Sequence, residues 1–524
     1  MAESTIHEGT EGALSRRKQR EQNLYAGRVK VHPMAIGGFY RKLKWAAVIV
    51  LLGIYYIAPW LRWDRGPNTP DQALLIDMPA RRAYFFGIEI WPQEVYYLAG
   101  LLIMGAIGLF LVTSLLGRVW CGYACPQTVW TDLYMLVERW IEGDRNARIK
   151  LDRQPLTGQK LAKRLAKHSV WLLIALATGG AWIMYFVDAP TVVGNFFTGQ
   201  ASFSVYFFVG MFTATTYLLA GWAREQVCTY MCPWPRFQAA MFDEDTMIVT
   251  YEPWRGEPRG KPKKGKTHVS PANLPPKGPD DSSTPGLAAI DWEQANALYG
   301  RDKVDGKGDC IACDKCVAVC PTGIDIRDGV QMECIGCALC IDACNSVMEK
   351  LGRPKNLITY DTLANQERRA RGEKPRIRLI RARTILYGSL LAVVAGIMLF
   401  TLMTRSTHDL NVLHDRNPLF VTLSDGAIRN GYTIKILNKE RAQSSYTLEL
   451  GNLPQGTLSV VGMNTPRARQ VQLTADPDSV TSYKIYVERP SSAVEQTTRD
   501  FQFRLTDRQG NVVVQETLFR GPER

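Results

Sequence analysis

Five stretches of the sequence, residues 45–61, 95–116, 170–187, 203–223 and 385–403, approach the run of about 20 apolar residues that a helix needs to cross a bilayer. No other feature narrows the fold as much, because hydrocarbon admits only structures that satisfy every backbone N–H and C=O internally. The expectation is a multi-pass α-helical bundle of about five spans. The first and third stretches are near the short limit, so one of them is a candidate for a buried or re-entrant helix. The first follows a long basic leader and lacks a small-residue cleavage site, so a cleaved signal peptide is not expected.

Loop charge orients the bundle. Nine Lys or Arg precede residue 45 and ten lie between 118 and 167, whereas 62–94 holds four and 188–202 none. The N-terminus, both basic loops and residues 224–384 are therefore expected in the cytoplasm, and everything after residue 403 across the membrane. The net charge of +13 is accounted for by this asymmetry, and no nucleic-acid partner is expected. Along the chain the expected parts are a basic leader (1–44), a four-helix membrane region (45–252) and a Pro/Gly/Lys-rich linker (253–286). A cysteine-rich module (287–350), a basic linker (351–384), the fifth span (385–403) and a β-domain (404–524) follow. Segments such as YTIKIL, YKIYV and FQFRL alternate or are β-branched, at the turn spacing of a β-sandwich, and Arg508-Gln509-Gly510-Asn511 would close the final hairpin.

All twelve cysteines fall into four groups, which argues for metal rather than a disulfide framework. Residues 310–321 (CIACDKCVAVCP) and 334–345 (CIGCALCIDACN) each have the spacing C-x-x-C-x-x-C-x-x-x-C. Three close thiolates wrap one face of an inorganic cube, while the fourth, at the start of a helix pointing away, ligates the other cube. One 4Fe-4S cluster is thus expected on Cys310, Cys313, Cys316 and Cys344, and a second on Cys334, Cys337, Cys340 and Cys320. Asn345 stands where the second run would have proline, which is not a ligand. Structural zinc, the competing reading, usually separates its two cysteine pairs by a longer loop.

RVWCGYACPQ and EQVCTYMCPW carry the other four cysteines as C-x-x-x-C-P, the second 107 residues after the first. Each follows the second helix of an apolar hairpin, so the membrane part reads as a parallel repeat. A spacing of four puts both sulfurs of a pair on one helix face, and the proline disfavours continued helix. Cys121, Cys125, Cys228 and Cys232 would bind a soft metal such as Cu(I), form a redox dithiol, line a further electron-transfer centre, or simply pack as small hydrophobes. His408 and His414, just outside the last span, read as solvated linker residues, Met231 as membrane packing, and 128–143 as an amphipathic helix along the membrane surface.

The order of spans, the two C-x-x-x-C-P motifs, the paired cluster runs and the β-rich tail resemble the cytochrome c oxidase accessory proteins of the CcoG (FixG/RdxA) family. Membrane ferredoxins of the NapH and NosR type share the cysteine motifs but not the tail. The resemblance implies a membrane bundle with a cytoplasmic, bacterial-type two-cluster ferredoxin-like α+β module and a periplasmic immunoglobulin-like sandwich, in a bacterial inner membrane. It implies Cu(II) reduction to Cu(I) during assembly of cbb(3)-type oxidases. The eight module cysteines would then hold the clusters, and Cys121, Cys125, Cys228 and Cys232 would handle copper, the substrate, or relay electrons to it. An electron relay to the quinone pool and a non-catalytic assembly scaffold are the alternative functions. The membrane, the oxidase or its copper-delivery factors, an electron donor the sequence does not name and a second copy of the chain are the candidate partners.

Overall fold

The computed structural model describes residues 30–66, 69–261, 268–270, 306–463, 467–494 and 496–522. The linker expected at 253–286 and most of the leader lie largely outside these residues. The chain divides into two compact units, one formed by the residues up to Ala395 apart from 64–71, the other by 396–524 together with 64–71.

The first unit contains helices α1 (Phe39–Ile57), α2 (Tyr96–Leu116), α3 (Pro126–Glu142), α4 (Arg145–Arg153), α5 (Gly158–Ile183), α6 (Ala189–Thr198), α7 (Phe203–Thr216) and α8 (Trp234–Met241). Its cysteine-rich part adds α9 (Lys315–Val319), α10 (Leu339–Lys350) and α11 (Leu363–Ala370), and α12 (Ala382–Met403) follows. Among the described residues four helices are long and apolar enough to cross a membrane: Phe39–Trp60, Pro92–Leu116, Phe203–Ala223 and Ala382–Met403. The third expected span lies on α5 and is not among the four. Helix α5 has 26 residues, about 39 Å of helix, so it has the length to cross. Its lower mean apolarity comes from a basic first half with Lys160, Lys163, Arg164, Lys167 and His168, while Trp171, Ala175, Thr178 and Ile183 farther along are buried in protein. A Cβ on Gly179 would stand 2.7 Å from the Val209 carbonyl oxygen, so α5 and α7 approach as closely as small residues allow. Thr178 joins three helices: its hydroxyl meets those of Tyr56 at 2.8 Å and the Trp130 ring N–H at 3.0 Å.

Helix α3 does not present its polar face along the membrane surface. Asp132, Glu138 and Glu142 are buried in the unit, where Arg41 pairs with Asp132 at 2.9 Å, Arg148 and Arg224 with Glu138 at 2.8 and 2.9 Å, and Lys167 with Glu142 at 2.9 Å. A small antiparallel sheet, β1 (Leu74–Asp77), β2 (Arg82–Phe85) and β3 (Ile88–Ile90), fills the loop before α2. Strands β4 (Ile248–Tyr251) and β5 (Ile358–Asp361) pair antiparallel and bracket the cysteine runs, so the folded module draws on residues outside 287–350.

The second unit is a β-sandwich. One sheet has the order β10 (Thr457–Val460), β12 (Ser479–Arg489), β8 (Ile428–Asn438), β6 (His408–His414), with β7 (Val421–Thr422) also on β8. The other runs β11 (Gln470–Ala475), β9 (Ser444–Gly451), β13 (Thr498–Thr506), β14 (Val512–Arg520). Alternate residues such as Ile434, Ile436, Leu448, Phe503 and Leu505 turn inward to one apolar core. The β13–β14 hairpin closes at 507–511 as expected. His408 and His414 are not linker residues. They begin and end β6, where His408 is buried and His414 bonds the Asn430 side chain at 2.9 Å.

Candidate functional site

The two cysteine runs fold into two cages with the same backbone device. In the first, Ala312 and Asp314 have φ of 54°; in the second, Gly336 and Ala338 have φ of 67° and 59°. These left-handed residues turn the chain between thiols, and a non-glycine residue there costs about 1–2 kcal/mol, strain that marks a functional loop. One cavity is lined by Cys310, Cys313, Cys316 and Cys344 together with Tyr251, Met348 and Ile358. The other is lined by Cys320, Cys334, Cys337 and Cys340 with Ile324, Ile326 and Ile335; Cys316 reaches its rim. The fourth cysteines are thus exchanged between runs, but neither starts a helix: Cys320 caps the C-terminus of α9 and Cys344 lies inside α10.

Four thiols line each of the two cavities, the complete donor set of one 4Fe-4S cluster. Burial pushes the thiols of Cys316, Cys334 and Cys344 up to about 12, so positive metal is needed to hold them as thiolates at neutral pH. The amides of Gly336 and Leu339 work the other way, donating to the sulfurs of Cys334 and Cys337.

The C-x-x-x-C-P pairs share a backbone form that differs from the expected α-helical face. Trp120–Ala124 and Val227–Met231 are π-helical. The N–H of Cys125 bonds the Trp120 carbonyl and that of Cys232 the Val227 carbonyl, each at 2.8 Å, and both cysteines then turn extended. Such π turns recur at functional sites. Pro126 opens α3, and Pro233 sits at the start of α8. The repeat brings the four thiols together: burial pushes Cys121 and Cys228 up to about 12, and each also feels Cys125 and Cys232. Cys121 donates to the Gln238 side-chain oxygen at 3.2 Å, and the Thr128 hydroxyl bonds the Cys121 carbonyl at 2.6 Å. Cys232 is exposed, as is Met231 beside it, which packs against no protein core.

These thiols sit against the second cage. A Cβ on Gly122 would meet the Ile335 carbonyl oxygen at 3.0 Å and the Cys337 Cα at 3.1 Å, and Cys121 and Cys228 join an apolar cluster with Cys337 and Cys340. The Tyr123 hydroxyl bonds the Cys337 carbonyl at 3.1 Å. Buried Arg118 donates to the carbonyls of Met332, of Cys334 at 2.9 Å and of Pro235 at 3.1 Å, tying three segments together. Asp342, on α10 between Cys340 and Cys344, accepts the backbone N–H of Arg41 at 2.9 Å, and that of Tyr40 at 3.4 Å, at the start of α1. Sequence reasoning missed Arg118, Gly122, Tyr123 and Asp342. A basic residue just before the first cysteine motif and a glycine inside it were the available signals.

Comparison with known proteins fits this architecture. A family described as "IG-like fold at C-terminal of FixG" matches residues 398–522, a 4Fe-4S dicluster domain matches 223–279 and 291–363, and a 4Fe-4S binding domain matches 98–144. The chain is 46% identical over 504 residues to the nitrogen fixation protein FixG of Rhizobium meliloti, covering 91% of this chain and 90% of that protein. The chain belongs to the FixG family. In Cereibacter sphaeroides, protein RdxB is 48% identical, covering 95% of this chain and 98% of its own length, and protein RdxA is 51% identical, covering 79% and 81%. As a member of this family the chain is a membrane iron–sulfur electron-transfer protein with 4Fe-4S cofactors and an immunoglobulin-like C-terminal domain.

Proposed function

We propose that this protein reduces Cu(II) to Cu(I) at the membrane face of its ferredoxin-like module, for the copper centre of a cbb(3)-type cytochrome c oxidase. The contact at Gly122 carries the reading: the loop bearing Cys121 rests on the backbone of Cys337, so four soft thiols adjoin an electron store. Cys310, Cys313, Cys316 and Cys344 would hold one cluster, and Cys334, Cys337, Cys340 and Cys320 the other. When bound, a 4Fe-4S cluster exchanges one electron at a time, the count that separates Cu(II) from Cu(I). Ile326 and Ile335 keep the second cage dry, and Arg118 fixes its loop to the membrane helices. Cys121, Cys125, Cys228 and Cys232 are the catalytic group, passing one electron to each Cu(II). The sulfurs of exposed Cys232 and Met231 favour the Cu(I) product. A reduced donor supplies the electron and is oxidised in turn.

The basic loops support a cytoplasmic N-terminus and module and a periplasmic β-sandwich in a bacterial inner membrane, where the sandwich would meet the oxidase or its copper-delivery factors. The test mixes the anaerobically reduced full chain with Cu(II) and follows cluster absorbance and Cu(I) together. A variant with Ser for Cys121, Cys125, Cys228 and Cys232 is compared with wild type. Cluster oxidation matched to Cu(I) formation, lost in the variant with the module clusters intact, supports the reading. Reoxidation without Cu(I) in either protein sinks it in favour of an electron relay.

A further inference from the structure

A cavity of about 250 Å³ opens where the basic first half of α5 gives way to its apolar run. One water needs only roughly 10–15 Å³ of such space, so the cavity is large enough for a ligand. Among the described residues its lining carries four cations, Lys30, Arg164, Lys167 and Arg224, against one carboxylate, Glu225. The carboxylates that balance these cations lie outside the lining. Glu142 pairs with Lys167 at 2.9 Å and with Arg164 at 3.2 Å, Glu138 with Arg224 at 2.9 Å, and Asp152 with Lys30 at 3.2 Å. Those pairs fix the side chains, and their cationic ends form one wall. Trp171 carries two of them against its ring, with Lys167 Nζ 4.7 Å and Arg224 Cζ 5.2 Å from the ring centre. His168, held by the Tyr217 hydroxyl at 2.8 Å, completes the polar side.

The border of the cavity is apolar. Phe203–Ala223 is long and apolar enough to cross a membrane, and Trp222, next to its last residue, lines the cavity while 66% exposed. Leu218, four residues earlier, is more than half exposed, as are Leu165 and Leu172, which share the His168 face of α5. Exposed Trp and Leu beside a cationic wall, at the end of a span, match the depth at which acyl chains meet lipid headgroups. Basic pockets between spans hold the phosphates of anionic lipids. We propose that this cavity binds the phosphate of an anionic phospholipid, with Lys30, Arg164, Lys167 and Arg224 around the phosphate. The acyl chains then cover Trp222, Leu218 and Leu172. A free phosphate would meet the cations but leave that apolar border bare, so the lipid is the better occupant. The site adjoins the second C-x-x-x-C-P turn, because Arg224 stands four residues before Cys228 and the Thr229 hydroxyl bonds the Glu225 carbonyl at 2.8 Å.

The experiment takes the full-length protein, purified in mild detergent and stripped of lipid. It is titrated with phosphatidylglycerol, with phosphatidylcholine of the same chains, or with inorganic phosphate. Native mass spectrometry counts bound lipid, and the melting temperature reports binding. Phosphatidylglycerol is expected to bind and raise the melting temperature at concentrations where phosphatidylcholine does neither. Lys30→Gln/Arg164→Gln is expected to weaken phosphatidylglycerol about tenfold or more, the effect of losing a charge-assisted hydrogen bond. Lys150→Gln/Arg153→Gln removes the same charge from the exposed side of α4, outside the cavity, and should leave the affinity unchanged. Equal binding of the two lipids, or equal losses in the two variants, overturns the proposal. Inorganic phosphate that matches phosphatidylglycerol overturns the lipid assignment in favour of a free anion. Should Lys30→Gln/Arg164→Gln fail to fold, Trp222→Ala at the exposed border is read instead: weaker phosphatidylglycerol binding supports the site, and unchanged binding overturns it.

Discussion

The two cages are built alike and placed differently. Both use the same pair of left-handed residues and exchange their fourth cysteine. The first is walled by the module itself, by Tyr251, Met348, Leu357 and Ile358, and shows Cys313 to solvent. The second is pressed against membrane loops through Gly122, Tyr123 and Arg118, and its Cys337 is buried. Identical ligand spacing therefore serves two positions, one with a thiol open to water and one facing the C-x-x-x-C-P thiols. Position, not ligand set, distinguishes the two clusters.

The strongest way to break this comparison is Gly122→Val. Its branched side chain has no room against Ile335 and Cys337, so the cage is pushed off the membrane loops. Cu(II) reduction by the pre-reduced protein is expected to fall about 100-fold, the scale of a small displacement of reacting groups, with iron content unchanged. Stopped-flow absorbance checks it, and an unaltered rate would mean the junction is not the path.

Arg118→Leu sharpens the asymmetry. Removing a buried positive charge beside Cys334 makes the nearby cluster harder to reduce, by on the order of 50–100 mV, while the first cluster keeps its potential. An EPR-monitored redox titration separates the two, and equal shifts would contradict the placement.

Acid should act on the second position first. Burial alone would raise the Glu138 carboxyl, but Arg224, Arg148 and Lys167 hold it down to about 2 from 4.5. Its contribution, on the order of 3 kcal/mol, is complete above pH 4.5 and drains away as the pH falls toward 2. Helix α3 carries this network and begins directly after Cys125. Thermal unfolding of the membrane part is expected to lose stability across that window. In Glu138→Gln the melting temperature should be lower at neutral pH and nearly flat across the window. The smallest effect is Ala312→Gly, which relieves a left-handed alanine and should stabilise the first loop by about 1 kcal/mol, read as slower cluster loss in chelator. The second loop already has a glycine there, Gly336, whose Cβ would stand 3.0 Å from the Arg118 carbonyl oxygen.

The grouping of the module cysteines around two cavities was legible because the spacing is local: eleven residues bring three thiols to one cavity and send the fourth to the other. The β-strands of the tail were legible for the same reason, since alternation shows within a single segment such as 432–437. What escaped was long-range or degenerate. A spacing of four reads identically for an α turn and for the π turns that hold Cys121 and Cys228. The acidic residues of α3 look like a solvated stripe until Arg41, Arg148, Lys167 and Arg224 arrive from distant segments. Helix α5 reads as a marginal span because its apolar run is short and follows a basic first half on the same helix. His408 was misplaced because β6 begins only five positions after the last span ends at Met403.

Gly38 precedes α1 without a side chain to bond its first amides, and a Cβ there would collide with Asp342. The carboxylate that accepts those amides comes from α10, 301 residues later in the chain for Arg41. On the ribosome, the first span is therefore inserted long before the group that finishes its N-terminal turn has been translated. That turn stays frayed until the second cysteine run has folded. A chain whose second cysteine run never folds thus lacks the acceptor that closes the first turn of its first membrane helix.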